Sequence, residues 1–443
     1  MPTRSELQRM FYIMPDGTIK QINPFSRTEV WTVPGRGNKP ITNEIPKNAH
    51  RIERRTPEDY CNFCEAHYFN TPPEKSRIVR TDKGYETLEH LPASEYRSSR
   101  AMFRRVPNLF EIVTMDYWRL NHGYELSARN RRWKQQYLST EDGFAHVRNI
   151  LSLKLRLSGY SEERLAALTR EDVYNMADPF FGGGHELVVA GPHYAKNAEY
   201  DVQLCSSGEM TPEEHAEYCR FTIQAVQDIY ANNRYVRYIS VFQNWLAPAG
   251  ASFDHLHKQL VALDEWGVSV EEEVDMVRDN PNIYNEQVVN FAAYSNFTFA
   301  ENDYAIALAD IGHRYPTVAV YSKSPHSRPA EHAPEELRGF SDIVHAVHAA
   351  MGPQIACNEE WYYTPRDAVV KMPWHILVKW RTNNPAGFEG GTKIYINPIS
   401  PIALRDKLVP RLYELRNSGK IAPFRIAEEC QLVPNCLKYY QAT

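Results

Sequence analysis

Residues 242–260 read FQNWLAPAGASFDHLHKQL, and the last six of them, His255-Leu256-His257-Lys258-Gln259-Leu260, decide how the chain is read. In a β-strand successive side chains point to opposite faces, so His255, His257 and Gln259 share one face and Leu256, Lys258 and Leu260 the other. Two imidazoles and an amide on one rigid face suit metal binding, attack on phosphorus, or both. Upstream, Asn244 to Ser252 carries Pro248 and Gly250 among small residues. It reads as a tight loop whose backbone amides can approach a phosphate. A polar strand face with chance histidines would look the same in isolation, so the neighbours must carry the case.

Composition narrows the class. A chain of 443 residues, 43% of them hydrophobic, can fill two or three ordinary cores. No apolar run approaches a membrane span, and Met1 to Arg9 is polar with no signal-like segment behind it, so the expected location is cytoplasmic. Seven cysteines, an odd number, do not look like a disulfide framework. A formal net charge of −5 argues against non-specific nucleic-acid binding, although local basic clusters occur, and 12% aromatic residues supply stacking surfaces for a base.

Working outward, Val30 to Val33 reads as a strand closed by Pro34-Gly35-Arg36-Gly37, which makes Arg36 and Lys39 candidate phosphate contacts. Cys61-Asn62-Phe63-Cys64 has the spacing of two thiolates on one tetrahedral Zn²⁺, with histidines as partners because no second pair exists. A thioredoxin-like redox role is the rival reading, without the βαβ context it needs. Arg97, Arg100, Arg104 and Arg105, then Arg129, Arg131, Arg132 and Lys134, form two basic clusters; most such charge runs are solvated helix faces, which is the expectation for the second. Residues 115 to 180 read as largely helical, for instance Gly143 to Leu157 and Ser161 to Ala177. Gly182-Gly183-Gly184-His185 before the strand Glu186 to Ala190 leaves room for a ligand or a backbone to approach. Thr211, with Glu213 and Glu214, opens a helix, and Tyr235 to Gln243 returns as a strand. After Ala262 the strand-helix-strand order repeats through Thr317 to Tyr321, Ala333 to Ala350, Trp361 to Thr364 and Trp374 to Trp380. Where the first copy has His-Leu-His, the second has only His375.

Together these residues resemble the histidine-triad superfamily, in its two-module nucleotidyltransferase branch typified by galactose-1-phosphate uridylyltransferase and ADP-glucose phosphorylase. Asn23 through Pro40 is similar to the branch's opening strand pair, Cys61 and Cys64 to its CPxC, Asn108-Leu109-Phe110 to its nucleotide-contact segment, and Pro192-His193 to its PxH. Asn244, Gly250, Ser252, His255, His257 and Gln259 match its long signature in one register.

The resemblance implies an α+β fold of two tandem histidine-triad-like modules, each an antiparallel sheet with packed helices. Module one, residues 1–265, would carry zinc and nucleophile with a helical insertion at about 115–180; module two, 266–443, lacks the histidine pair. It implies one structural Zn²⁺ per chain on Cys61, Cys64, His193 and His255, with His185 as the alternative third ligand. His257 would attack the α-phosphorus of a UDP- or ADP-sugar, form a nucleotidyl intermediate and pass the group to a sugar phosphate or phosphate. Gln259, Ser252, Asn244 and amides near Gly250 would donate to the phosphate oxygens, and Asn108 and Phe110 would contact the nucleotide.

Gly387 to Pro398 is similar to the ADP-glucose phosphorylase loop, placing Glu389 and Lys393 with the acceptor. With only His375 at the place of the branch's second, histidine-rich metal site, no second metal is expected. A homodimer is expected from the branch; membrane and nucleic-acid partners are not. Two other readings remain, a dinucleoside polyphosphate phosphorylase and a zinc-stabilised interaction or RNA-binding protein using the basic clusters.

Overall fold

The computed structural model describes residues 10–35, 45 and 47–441. Three short strands come first, β1 (Phe11–Ile13), β2 (Ile19–Ile22) and β3 (Glu29–Thr32). Then follow β4 (Ser76–Thr81), β5 (Gly84–Glu89), β6 (Phe103–Pro107), β7 (His185–Ala190), β8 (Tyr238–Trp245) and β9 (His257–Leu263). The second half supplies β10 (Thr298–Glu301), β11 (Ala305–Asp310), β12 (Thr317–Ser322), β13 (Cys357–Tyr362), β14 (His375–Trp380), β15 (Ile394–Ile396) and β16 (Arg425–Ile426). Twelve of them make one continuous sheet in the order β16-β10-β11-β12-β14-β13-β8-β9-β7-β6-β4-β5, its named pairs all antiparallel.

The order is a repeat. Outward from the β8–β13 seam, one side reads β8, β9, β7, β6 and the other β13, β14, β12, β11. In each half a long helix connects the strand third from the seam to the strand at the seam. Pro212–Asn232 does so in the first half and Pro334–Met351 in the second. The chain therefore folds as two tandem α+β modules whose sheets have fused.

Local chemistry explains the elements. Thr211 accepts from Glu214 N while Glu214 reaches back to the Thr211 amide, and Pro212 starts the first long helix, a reciprocal cap that fixes its entry. Its buried stripe, Tyr218, Cys219, Thr222, Ala225, Val226 and Ile229, recurs every three or four residues and lies on the sheet. Central strands β7 and β12 are buried along their whole length and read as near-continuous β-branched and apolar runs. The two long helices pack on each other and cover one sheet face, and Lys258 lies on that side with its ammonium 4.9 Å from the Tyr218 ring centre. By alternation His257 and Gln259 emerge on the opposite, uncovered face.

β1, β2 and β3 form a second small sheet with β15, which runs parallel to β3. Although this segment lies at the start of the first half in sequence, it packs on the second half. Phe11 meets Phe297 edge-on, Phe25 packs on Tyr284, and Asn23 Nδ2 donates to Ile311 O at 3.0 Å.

The insertion is helical as expected, through Met115–His122, Ala128–Ser139 and Glu141–Leu157. The stretch Ser161 to Ala177, however, is two short helices, Glu162–Ala166 and Arg170–Met176, because a second capping box at Thr169–Asp172 restarts the chain. Two sequence expectations change. In the second basic cluster Arg129, Arg131 and Arg132 are exposed as expected, but Lys134 is buried and paired with Asp178 at 2.5 Å; in the first, Arg104 and Arg105 are buried in β6, Arg104 paired with Glu74 at 2.6 Å and Arg105 with Glu186 and Asp228. The Gly182–Gly184 run makes room for the protein itself, since Cβ atoms there would meet Leu126, Glu111 and Trp118 or Ala262. Among the described residues no helix is long and apolar enough to cross a membrane.

Candidate active site and metal centre

The loop before β9 turns sharply, with Leu246 and Gly250 both at positive φ, +67° and +88°. It delivers His255 and His257 to the uncovered face of the sheet. Both rings are buried and differ in which nitrogen is committed. His255 Nε2 lies 2.6 Å from Ala190 O, and a carbonyl can only accept, so the proton is on Nε2 and the Nδ1 lone pair is free. His257 does the opposite: its Nδ1–H donates to His255 O at 2.8 Å and leaves the Nε2 lone pair free. Burial pushes the His257 imidazolium below its ordinary range, which keeps that lone pair available near neutral pH. The Phe63 ring walls His257 edge-on at 5.3 Å.

Free His255 Nδ1 belongs to a four-donor cluster with Cys61, Cys64 and His193, all within 4.8 Å of one another. Zn–S bonds of about 2.3 Å and Zn–N bonds of about 2.0–2.1 Å in a tetrahedron require edges of about 3.8 Å between sulfurs and about 3.3 Å between nitrogens. The sulfurs are 3.8 Å apart and the two Nδ1 atoms 3.3 Å apart, with sulfur–nitrogen edges of 3.3, 3.6 and 3.8 Å. The donor set thus fits zinc in chemistry, number and edge length. The hydrogen bond between the thiols holds the Cys64 thiol below its ordinary range and drives Cys61 above it. His185, the alternative ligand, is not in the cluster. Its Nδ1 accepts from Ile112 N at 3.1 Å and its Nε2 lies 3.1 Å from Gln259 Oε1.

The neighbouring strands bring further predicted residues to the same face. Phe242 is paired with Gln259, and Asn244 follows two residues along the same strand. Asn244 Oδ1 accepts from Asn358 Nδ2 at 2.7 Å, and a Cβ on Gly250 would come within 3.9 Å of Asn244 Nδ2. Asn108 Nδ2 approaches His185 Nε2 at 3.0 Å, and Asn108 Oδ1 accepts from Phe110 N. Phe110 is 57% exposed beside this loop, free to meet a planar ligand. Ser252 is exposed at the turn before His255. Glu389 and Lys393 lie elsewhere, on the small sheet, where Gly387–Thr392 is a short helix and not a Gly-rich loop; Glu389 caps it by accepting from Ala386 N, and Lys393 ends it at positive φ. Arg36 and Lys39 lie outside the described residues.

Residues 14–439 match the family model described as a domain of unknown function, DUF4921. The chain belongs to the DUF4921 family. This DUF4921 protein is 25% identical over 174 residues to ADP-glucose phosphorylase of Arabidopsis thaliana; the match takes in 38% of the chain and spans half the length of that relative. Among solved structures it is similar to the Arabidopsis thaliana ADP-glucose phosphorylase with bound ADP-glucose, with a TM-score of 0.54 at 17% identity, covering 88% of this chain and 97% of that one. It is also similar to a GalT-like protein of the same plant, with a TM-score of 0.50 at 18% identity over 79% and 91% of the two chains. The DUF4921 chain thus has the fold of the galactose-1-phosphate uridylyltransferase and ADP-glucose phosphorylase branch.

Sequence reasoning missed Asn358 and undervalued His185. Asn358 sits in the other module 114 residues from its partner Asn244, and His185 was weighed only as a metal ligand. The pairing of β7 with β9, which sets Leu187 against Gln259 and His185 two residues away on the same face, is the signal that could have found the second.

Proposed function

We propose that this protein is a nucleotidyltransferase in which His257 takes a nucleoside monophosphate from a nucleotide sugar and passes it to phosphate or a sugar phosphate. The observation that carries this reading is the His257 ring itself. Its Nδ1–H is held by the His255 carbonyl, so a neutral Nε2 lone pair is directed away from the strand beside two amide side chains. His257 Nε2 attacks the α-phosphorus, forming a P–N bond as the bond to the bridging oxygen breaks and the sugar phosphate leaves. Attack by the acceptor oxygen then breaks the P–N bond and returns the imidazole. Gln259 and Asn244, with amides of the loop near Gly250, would hold the non-bridging oxygens as charge moves onto them.

Cys61, Cys64, His193 and His255 would hold a structural Zn²⁺. Bound there, the ion supplies an anchor that ties the loop before β9 to the Cys61–Cys64 turn, while no substrate atom need touch it. His255 presents its carbonyl to His257 from that anchored position. We infer the module division at residues 265 and 266 from the strand repeat. The names of the relatives favour an ADP-sugar donor with inorganic phosphate as acceptor. Buried Arg104 and Arg105 weaken the alternative of a basic binding surface.

The test is intact-protein mass spectrometry after separate incubation with ADP-glucose, UDP-glucose and diadenosine tetraphosphate. An adenylyl or uridylyl adduct that disappears in His257→Gly and is discharged by phosphate or a sugar phosphate is expected. An adduct from diadenosine tetraphosphate alone would replace the donor class, and no adduct from any donor would sink the reading.

A further inference from the structure

Resting on that reading, we propose that His185 and Asn358 are positioning residues that lock the two side-chain amides of the site as hydrogen-bond donors. Each chain of bonds begins at a group with only one possible role. The Ile112 backbone N–H can only donate, so His185 Nδ1, 3.1 Å away, is an acceptor and the ring proton sits on Nε2. Of the two amide atoms near that Nε2, Gln259 Oε1 at 3.1 Å and Asn108 Nδ2 at 3.0 Å, only the oxygen can accept. Gln259 therefore spends its oxygen on His185 and keeps both N–H groups for a ligand.

The second chain starts at a guanidinium. Arg381 Nη1 donates to Asn358 Oδ1 at 2.9 Å, and Asn358 Nδ2 donates to the Ala249 carbonyl at 2.8 Å, so the Asn358 amide is fixed at both ends. Its nitrogen also donates to Asn244 Oδ1 at 2.7 Å, leaving the Asn244 N–H groups free.

Two consequences follow for recognition. The site offers donors without acceptors at these positions, which suits a phosphoryl group whose non-bridging oxygens only accept, as at the α-phosphate of a nucleoside diphosphate derivative, and disfavours a group carrying P–OH. Asn358 and Arg381 lie on or next to β13 and β14, so the second module orients a donor in the first.

The test is a set of double-mutant cycles on single-turnover adenylylation of His257 by ADP-glucose, with UDP-glucose as the parallel donor, followed by rapid quench and mass spectrometry. His185→Phe and Asn358→Asp should each lower the maximal rate by about tenfold, with half-saturating donor changed less than about threefold, because orientation of a transition-state donor is lost while binding contacts remain. Asn358→Asp keeps the acceptor for Arg381 and loses the donor shared by Asn244 Oδ1 and the Ala249 carbonyl. His185→Phe should add nothing in a Gln259→Ala background and its full effect in an Asn244→Ala background; Asn358→Asp should show the reverse. Unchanged rates, or losses that multiply equally in both backgrounds, overturn the proposal while leaving the nucleotidyl adduct of the wild-type protein standing. Absence of that adduct removes the function reading and this inference with it. Should His185→Phe fail to fold, Ile112→Pro deletes the N–H that fixes the ring, and the same cycle is run with it.

Discussion

His257 and His375 occupy matching places in the two modules. Each is the first residue of the strand next to the seam strand, and each donates Nδ1–H to the carbonyl two residues before it, His255 O at 2.8 Å and Pro373 O at 3.0 Å. The scaffold thus fixes the same tautomer twice. What differs is everything around the rings. His257 has His255 two residues before it and Gln259 two after; His375 has Pro373 and Leu377. Val189 pairs across from His257, whereas Tyr321 pairs across from His375 and stacks on it at 4.7 Å. Tyr362 stacks on His375 at 5.2 Å, and burial pushes its imidazolium down to about 4. A lone pair of the right tautomer is therefore common to both modules; the metal-ligand cluster and the flanking glutamine belong to one.

The sharpest way to break this comparison is to remove each histidine in turn. His257→Gly should abolish the nucleotidyl adduct, whereas His375→Gln, three strands across and four residues further along the sheet, roughly 20 Å away, should leave the first turnover within about threefold. A large loss from the His375 change would show that the second ring takes part.

Next in size is metal removal. One zinc per chain is expected by elemental analysis. Stripping it with a chelator should expose amides at 61–64, 190–193 and 255–257 to hydrogen exchange while those of 375–380 stay protected. Equal loss in both modules would contradict a cluster confined to the first.

A smaller effect is expected at the seam. Lys258 Nζ and Glu359 Oε1 are 2.5 Å apart and fully buried, with His348 on the other carboxylate oxygen at 2.8 Å and Gln243 and Trp361 completing the network. Glu359→Gln leaves the ammonium without its counter-charge and should cost about 3–5 kcal/mol in urea denaturation. A change under about 1 kcal/mol would mean that the neighbours replace the carboxylate.

The smallest effect is on the pH dependence of stability and belongs to the second module's cavity, a space of about 330 Å³ that His375 and Glu273 both line. Burial raises the Glu273 carboxyl, which is hydrogen-bonded to Tyr284, from 4.5 to about 7. Between those values the folded chain keeps a proton that the unfolded chain has released, so Glu273 makes stability fall as pH rises from about 4.5 to 7. Glu273→Gln should flatten that slope in denaturation series; an unaltered slope would place the titration elsewhere.

The site was legible where chemistry follows sequence period or short spacing. His-x-His-x-Gln declares its face by alternation, and Cys-x-x-Cys declares a ligand pair. Positions whose partners lie far away were not legible. Lys134 looks like solvated charge until Asp178 is folded against it. β13 was read as starting at Trp361 but begins at Cys357, because Asn358, Glu359 and Glu360 make its first half look like a loop. Those polar residues are where the two modules join, Glu359 under the sheet and Asn358 above it.

The pairing of β8 with β13 also decides what either module could be alone. Cut between them, each would end in an unpaired edge strand, five residue pairs long, and would keep one half of a buried ion pair, Lys258 on β9 and Glu359 on β13. Such an edge is a template for further strand addition. Neither half is then expected to stand as a separate folded unit, since the second module covers the edge of the first.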